Sequence, residues 1–182
     1  MASIVLAGNT SGSITISSPS VSGSNTLTLP ANTGTIITTG STFAGTGPAF
    51  SAYANSNQSC SGGTNTKILF QVEEFDTNNN FASSTFTPTV AGYYQINAAV
   101  EAVFSLAPNY YLIAIRKNGT TYKYGSNYPA GTAAYPCAFV SGLVYCNGTT
   151  DNIEIITTAN QNYTTNAQSF SVYFSGAMIR SA

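Results

Sequence analysis

Along YYQINAAVEAVF (93–104) the chain alternates with period two: Tyr94, Ile96, Ala98, Val100, Ala102 and Phe104 fall on one side, Tyr93, Gln95, Asn97 and Glu101 on the other. Alternation of that length predicts a long β-strand whose first set faces a core. FSVYFSGAM (170–178) repeats the device, with Phe170, Val172, Phe174 and Met178 opposite Ser169, Ser171, Tyr173 and Ser175. KILFQVEEF (67–75) and DNIEIITT (151–158) read as two more strands. Asn118-Gly119, between YLIAIRK and TTYKY, suits the positive φ angles of a type I′ turn, and Asn147-Gly148 reads the same way, so both predict tight strand reversals. No window carries a 3.6-residue period with caps. The chain after residue 45 is therefore expected to be all-β, and eight or so strands in about 135 residues suggest a sandwich or jelly roll.

Before residue 45 the pattern is different. SGSITIS, NTLTLP and GTIITTG are short runs rich in β-branched residues, punctuated by Ser, Gly, Pro and Asn. Their apolar residues, Ile14, Ile16, Leu27, Leu29, Ile36 and Ile37, are too few to offset a backbone ordering cost of about 1–2 kcal/mol per residue. Residues 1–44 read as an extended attachment arm whose missing core a partner surface supplies, and 45–182 as the folded domain.

Composition sharpens this. Charged residues make up 6% of the 182 residues, the net charge is −1, and none precedes Lys67. About a quarter is usual. So neutral a surface supplies no field for phosphate or anionic lipid, which argues against nucleic-acid and membrane partners. MASIVLAG is apolar over too few residues, and lacks the basic start, for a signal peptide or a spanning helix, and a protein made in a cytoplasm is expected. Cys60, Cys137 and Cys146 show no C-x-x-C spacing. They read as free, partly buried thiols, with one disulfide and a spare thiol as the alternative. Asn-x-Ser/Thr triplets at Asn57, Asn118, Asn147 and Asn162 read as accidents of an Asn/Thr-rich chain.

Catalytic chemistry finds little equipment. The chain has no His, which removes Ser-His and Cys-His nucleophile pairs and imidazole ligands. Of the six carboxylates only Glu73, Glu74 and Asp76 cluster, and strand alternation puts Glu73 and Glu74 on opposite faces, unlike a glycosidase pair spaced roughly 5–10 Å across a sugar. Calcium at Asp76 with Asn78 to Asn80 would need six to eight oxygens; a solvated loop is the plainer reading. No enzyme activity, cofactor or metal is expected. Lys67, Arg116, Lys117, Lys123 and Arg180 are too sparse for a nucleic-acid face. Tyrosines gather in the middle third, and Tyr122, Tyr124, Tyr128 and Tyr135 form a candidate ligand or apex surface, each offering a flat ring and one hydroxyl, with ordinary strand packing as the alternative.

The succession GPAFSAY (47–53), ILFQVEEFDTNNNF (68–81), FTPTVAGYYQI (86–96), IAIRKNGT (113–120), VSGLVYCNGTTDNIEI (140–155) and FSVYFSGAMI (170–179) resembles the globular head of the complement one-q family, related in fold to tumour necrosis factor. The family-motif glycines are Gly92, Gly119 and Gly176; Ala91 stands where the family usually has Pro. The resemblance implies a ten-stranded jelly-roll sandwich that associates as a homotrimer, with Phe50, Tyr53, Tyr94 and Phe174 as axis or core aromatics. Calcium-binding loops of some relatives have no clear acidic counterpart. The arm, in turn, resembles a segment of tailed-bacteriophage virion proteins that precedes varied C-terminal modules. Together the resemblances imply a virion structural protein: a trimeric capsid decoration or cement protein docked through residues 1–44 on the major capsid protein or another virion protein. A tail or head fibre knob binding a host-surface glycan or protein is the alternative, and a secreted lectin-like binder ranks third.

Overall fold

A computed structural model describes residues 3–7, 10–17, 23–24, 26, 47–127 and 135–182. The chain divides into two units, Met1–Ala44 and Gly45–Ala182. In the first, β1 (Ser3–Ala7) and β2 (Ser13–Ser17) pair antiparallel, Ile4 opposite Ile16 and Leu6 opposite Ile14. SGSITIS is thus a strand, and its partner is the apolar start of the chain, which the sequence reading left without structure. Ile4, Leu6 and Ile16 are exposed. The arm positions Leu27, Leu29, Ile36 and Ile37 lie outside the described residues, as does Tyr128.

The second unit is a two-sheet antiparallel sandwich. Its long strands are β3 (Ala49–Tyr53), β6 (Val72–Asp76), β9 (Gly92–Phe104), β10 (Tyr111–Lys117), β11 (Thr120–Asn127), β12 (Cys137–Cys146), β13 (Ile153–Ala159) and β15 (Val172–Ser181). Short pieces fill the gaps: β4 (Ser59–Cys60), β5 (Thr66–Lys67), β7 (Phe81–Ala82), β8 (Thr85–Phe86) and β14 (Tyr163–Thr165). One sheet runs β11-β10-β13-β8-β7, with β5 also on β13. The other runs β4-β14-β9-β15-β3-β6, with β12 on β9. Consecutive strands repeatedly change sheets, which is the jelly-roll wrap.

Alternation explains the core. All six apolar residues read for one side of β9, from Tyr94 to Phe104, are buried. In the same sheet Phe50 meets Phe174 edge-on at 4.8 Å, and from across the sandwich Phe81 (4.9 Å) and Phe86 (4.4 Å) stack on Phe50. Near the other end of β9, Phe104, Tyr111 and Tyr163 form a second cluster with centroids 5.2–5.4 Å apart. Each such side chain contributes roughly 1.5–3 kcal/mol by leaving water.

Three sequence expectations change. KILFQVEEF is not one strand: Thr66–Lys67 pairs with β13 and Val72–Asp76 with β3, so the chain crosses between sheets over Ile68 and Phe70, both buried. Phe170 is 76% exposed and Ser171 is buried. The cause is a turn in which the amides of Ser171 and Val172 both bond to the Gln168 carbonyl, so that the strand starts only at Val172. Asn118-Gly119 does form the expected turn, φ +53° and +76°, a pair that glycine at the second position tolerates without strain. Asn147-Gly148, however, opens a loop from β12 in one sheet to β13 in the other. The Asn147 side chain shapes it, its Oδ1 accepting the amides of Thr149, Thr150 and Asp151 at 3.0–3.1 Å.

Candidate interaction face

The period-two rule that buries one face of β9 and β12 exposes the other. Tyr93 lies directly opposite Tyr145, and Gln95 opposite Leu143. Tyr93 is 40% and Tyr145 41% exposed, their rings 5.4 Å apart. With Leu143, Ile179 and the C-terminal Arg180 to Ala182 they line a shallow groove of about 570 Å³. Phe139 is exposed on β12, at one flank, and Phe75 on β6, at the other. Beside Phe75 lies a depression of about 230 Å³ bordered by Ala49, Gln95, Asn97, Ser175 and Ala177. Polar groups occupy the middle: Gln95 Nε2 donates to Ser141 Oγ (2.8 Å), which donates to Asn97 Oδ1 (2.8 Å). A face this apolar at both flanks, with polar groups bonded to one another at its centre, is suited to covering by protein.

A buried carboxylate braces the groove's edge. Lys117 Nζ, 2.8 Å from Asp151, also donates to the Tyr145 carbonyl at 2.7 Å and lies 5.6 Å from the centre of the Tyr145 ring. Asp151 further accepts from Asn118 Nδ2 (2.7 Å) and the Asn147 amide (2.9 Å). Burial alone would raise its pKa, but the hydrogen bonds from Lys117, Asn118 and Asn147, together with the Lys117 charge, outweigh it and hold the carboxyl below the ordinary value. The Asn-Gly turn and the loop from Asn147 are thereby tied together.

The sequence-selected residues separate. Phe50, Tyr94 and Phe174 are core, and Tyr94 donates its hydroxyl to the Val90 carbonyl at 2.6 Å. Tyr53 alone of the four lies on the outward face, half-buried, opposite Tyr173. Gly92 opens β9, and Gly176 sits between Ile96 and Phe50, where a Cβ would approach side-chain carbons to 2.8 Å. Tyr122 and Tyr124 are exposed on β11, an edge strand of the opposite sheet, while exposed Tyr135 precedes β12. Tyr122 and Tyr124 are therefore not on the apolar face, whereas Tyr135 has the same parity as outward-facing Phe139 on β12. Tyr145, Leu143, Phe139 and Ile179 were missed; VSGLVYC does alternate, but its two largest side chains, Leu143 and Tyr145, face solvent.

The chemistry-bearing side chains have local duties. Asp76 accepts the Phe81 amide (2.6 Å) and closes its own Asn-rich loop, and Glu74 accepts from Ser51 Oγ (2.6 Å). Lys67 pairs with Glu154 at 2.9 Å. Among the described residues no group of three or more Cys, Asp or Glu is placed to hold a metal. Cys60 and Cys146 are buried thiols, and Cys137 Sγ lies 3.7 Å from the Ser171 carbonyl.

Neither protein-family models nor curated proteins match this chain. Solved structures do. It is similar to an Eiger tumour necrosis factor from S. frugiperda (TM-score 0.59, 9% identity, 75% of this chain and 95% of that one). It is also similar to murine APRIL at pH 5.0 (TM-score 0.57, 11% identity, 73% and 99%). At such identities the likeness establishes the fold: an all-β jelly-roll sandwich of the tumour necrosis factor type.

Proposed function

We propose that the chain is a homotrimeric virion structural protein of a tailed bacteriophage, a decoration or cement protein that stands on the head and docks through residues 1–44. The observation that carries the trimer is the outward face of the β12-β9-β15-β3-β6 strands. It offers a projecting Phe139 at one flank, a depression beside Phe75 at the other and the Tyr93–Tyr145 groove between. Two different complementary flanks suit a heterologous contact, which closes into a ring when the rotation allows. Tyr53 and Tyr173 lie on the same outward face.

Docking through the arm is supported by its chemistry. The β1–β2 hairpin exposes Ile4, Leu6 and Ile16, and a lone two-stranded hairpin is marginal in water. With no charge before Lys67, such a segment joins a sheet edge through main-chain hydrogen bonds without burying an unpaired ion. The test is a truncation beginning at Phe43. It is expected to remain trimeric by sedimentation and to lose stoichiometric binding to purified phage heads; a truncated protein that still coats heads overturns arm docking. Antibody labelling of intact virions separates head from tail.

A further inference from the structure

We propose that the sandwich carries a binding groove for a single neutral sugar ring at the end of β9 remote from where the chain enters the domain. The groove follows from register. Phe104 pairs with Tyr163 and Tyr163 with Cys60, so these three point into the core. Period-two alternation then turns the rows on either side of them outward. One row is Val103, Thr164 and Ser59, in direct register across β9, β14 and β4. The next is Ser105, Asn162 and Ser61. These six, with Cys60 and Tyr163 between the rows, line a groove of about 290 Å³.

The chemistry of the lining is specific in what it offers. Five of the six side chains are hydroxyls or an amide, and none is charged. Asn162 Oδ1 is committed to the Gly62 amide at 2.8 Å, which leaves the two hydrogens of its Nδ2 as donors. The hydroxyls of Ser59, Ser61, Ser105 and Thr164 are not used by any described residue. The polar centre of the apolar face differs, since Gln95 Nε2, Ser141 Oγ and Asn97 Oδ1 bond to one another there. Four groups that both donate and accept, one pure donor pair and one apolar Val103 match a ligand bearing several hydroxyls around a partly apolar ring. A phosphate or carboxylate would find no cation in this lining. The volume is at the lower limit of ligand pockets, roughly 300–1,000 Å³, which suits one ring rather than a nucleotide.

Position adds to this. The domain is entered at Ala49, whose partner Ala177 pairs with Gln95. Val103 is eight residues further along β9, about 26 Å away at roughly 3.3 Å per residue. A ligand there approaches the end of the sandwich remote from the start of β3, beside exposed Leu106. The inference stands independently of the virion reading.

The probe is a panel of neutral monosaccharides (glucose, galactose, mannose, N-acetylglucosamine) with sialic acid as the charged comparison, read on the full chain by saturation-transfer NMR and calorimetry. At least one neutral sugar is expected to bind in the millimolar range and more tightly than sialic acid. Thr164→Arg, which places a long side chain across the groove, is expected to weaken that sugar at least tenfold. Ser105→Arg, just beyond the end of β9, gives the same result without touching the β14 pairing. Binding by no neutral sugar, or binding that survives Ser105→Arg in a folded protein, overturns the proposal. Burial of Ser105 between copies of the chain, seen as protection of a Ser105→Cys thiol from maleimide in the assembled protein, overturns it as well.

Discussion

Tyr93 and Tyr145 face each other directly across β9 and β12, their rings 5.4 Å apart and tilted by 56°, and both remain about two-fifths exposed. Two adjacent aromatic rings left half in water give little to the domain alone and much to an interface, where aromatic anchors carry a large share of the energy. Tyr145→Asp is therefore expected to leave the far-UV circular dichroism and the fold intact while shifting the sedimenting species from trimer toward the 18.9 kDa monomer. A Tyr145→Asp protein that sediments as wild type rules out this face as the trimer contact.

Asp151 makes stability depend on acid. Its folded pKa lies below the ordinary carboxylate value, so its contribution is fully present above the unfolded value of about 3.9. It is lost as pH falls from there through the folded value. Asp151→Asn keeps the shape, removes the ion pair with Lys117 and is expected to cost about 1–3 kcal/mol at neutral pH. The difference from wild type should shrink below about pH 4. Urea unfolding at pH 7 and pH 3 measures both; a constant difference would mean that the carboxylate is not the source.

Much of the fold is legible in the chain because strand alternation is a local property. The residues of β9 read correctly from Tyr94 to Phe104, since a thirteen-residue strand gives the period many repeats. Val72–Asp76 read less well, because a bulge opposite Ser51 and Ala52 breaks the period where β6 joins β3. Phe170 misled for a related reason: hydrophobicity marks a core candidate, but only the Gln168 turn decides where the strand begins. The candidate interaction face was harder still. Tyr93 was read as the polar side of its strand, and only the long-range pairing with Tyr145 turns that side into an apolar patch. Family likeness gave Phe50, Tyr53, Tyr94 and Phe174 as axis or core aromatics, and the sheets enclose all of them but Tyr53.

Gly176 tests how tightly the sheets close over those residues. A Cβ there would lie 2.8 Å from Ile96 Cδ1 and 2.8 Å from Phe50 Cε1, so the neighbours must shift. Gly176→Val is expected to lower stability by about 1–3 kcal/mol through overpacking. Phe50→Ala removes the ring that stacks on Phe81 and Phe86 and costs about 3–5 kcal/mol. Thermal melts of the two variants should rank in that order. A Gly176→Val protein as stable as wild type would show that the Ile96 and Phe50 side chains have room to move.

The cysteines report on the same enclosure by their chemistry. Burial raises the Cys146 thiol to about 11, the Lys117 charge partly opposing this and the Asp151 charge adding to it. Burial together with the Glu101 charge raises Cys137 to about 11. Thiolate is the reactive form, so at pH 7 both should react with iodoacetamide far more slowly than an unfolded thiol near 8.5, because pKa and access act together. Timed alkylation followed by mass spectrometry is expected to show slow labelling of the native protein and rapid labelling of all three cysteines in denaturant. Rapid native labelling at Cys146, which is fully buried between β12 and its loop, would mean that the corner held by Asp151 opens readily. Asp151→Asn should then be the variant that accelerates it, linking thiol reactivity to the ion pair by a measurement that needs no assembly.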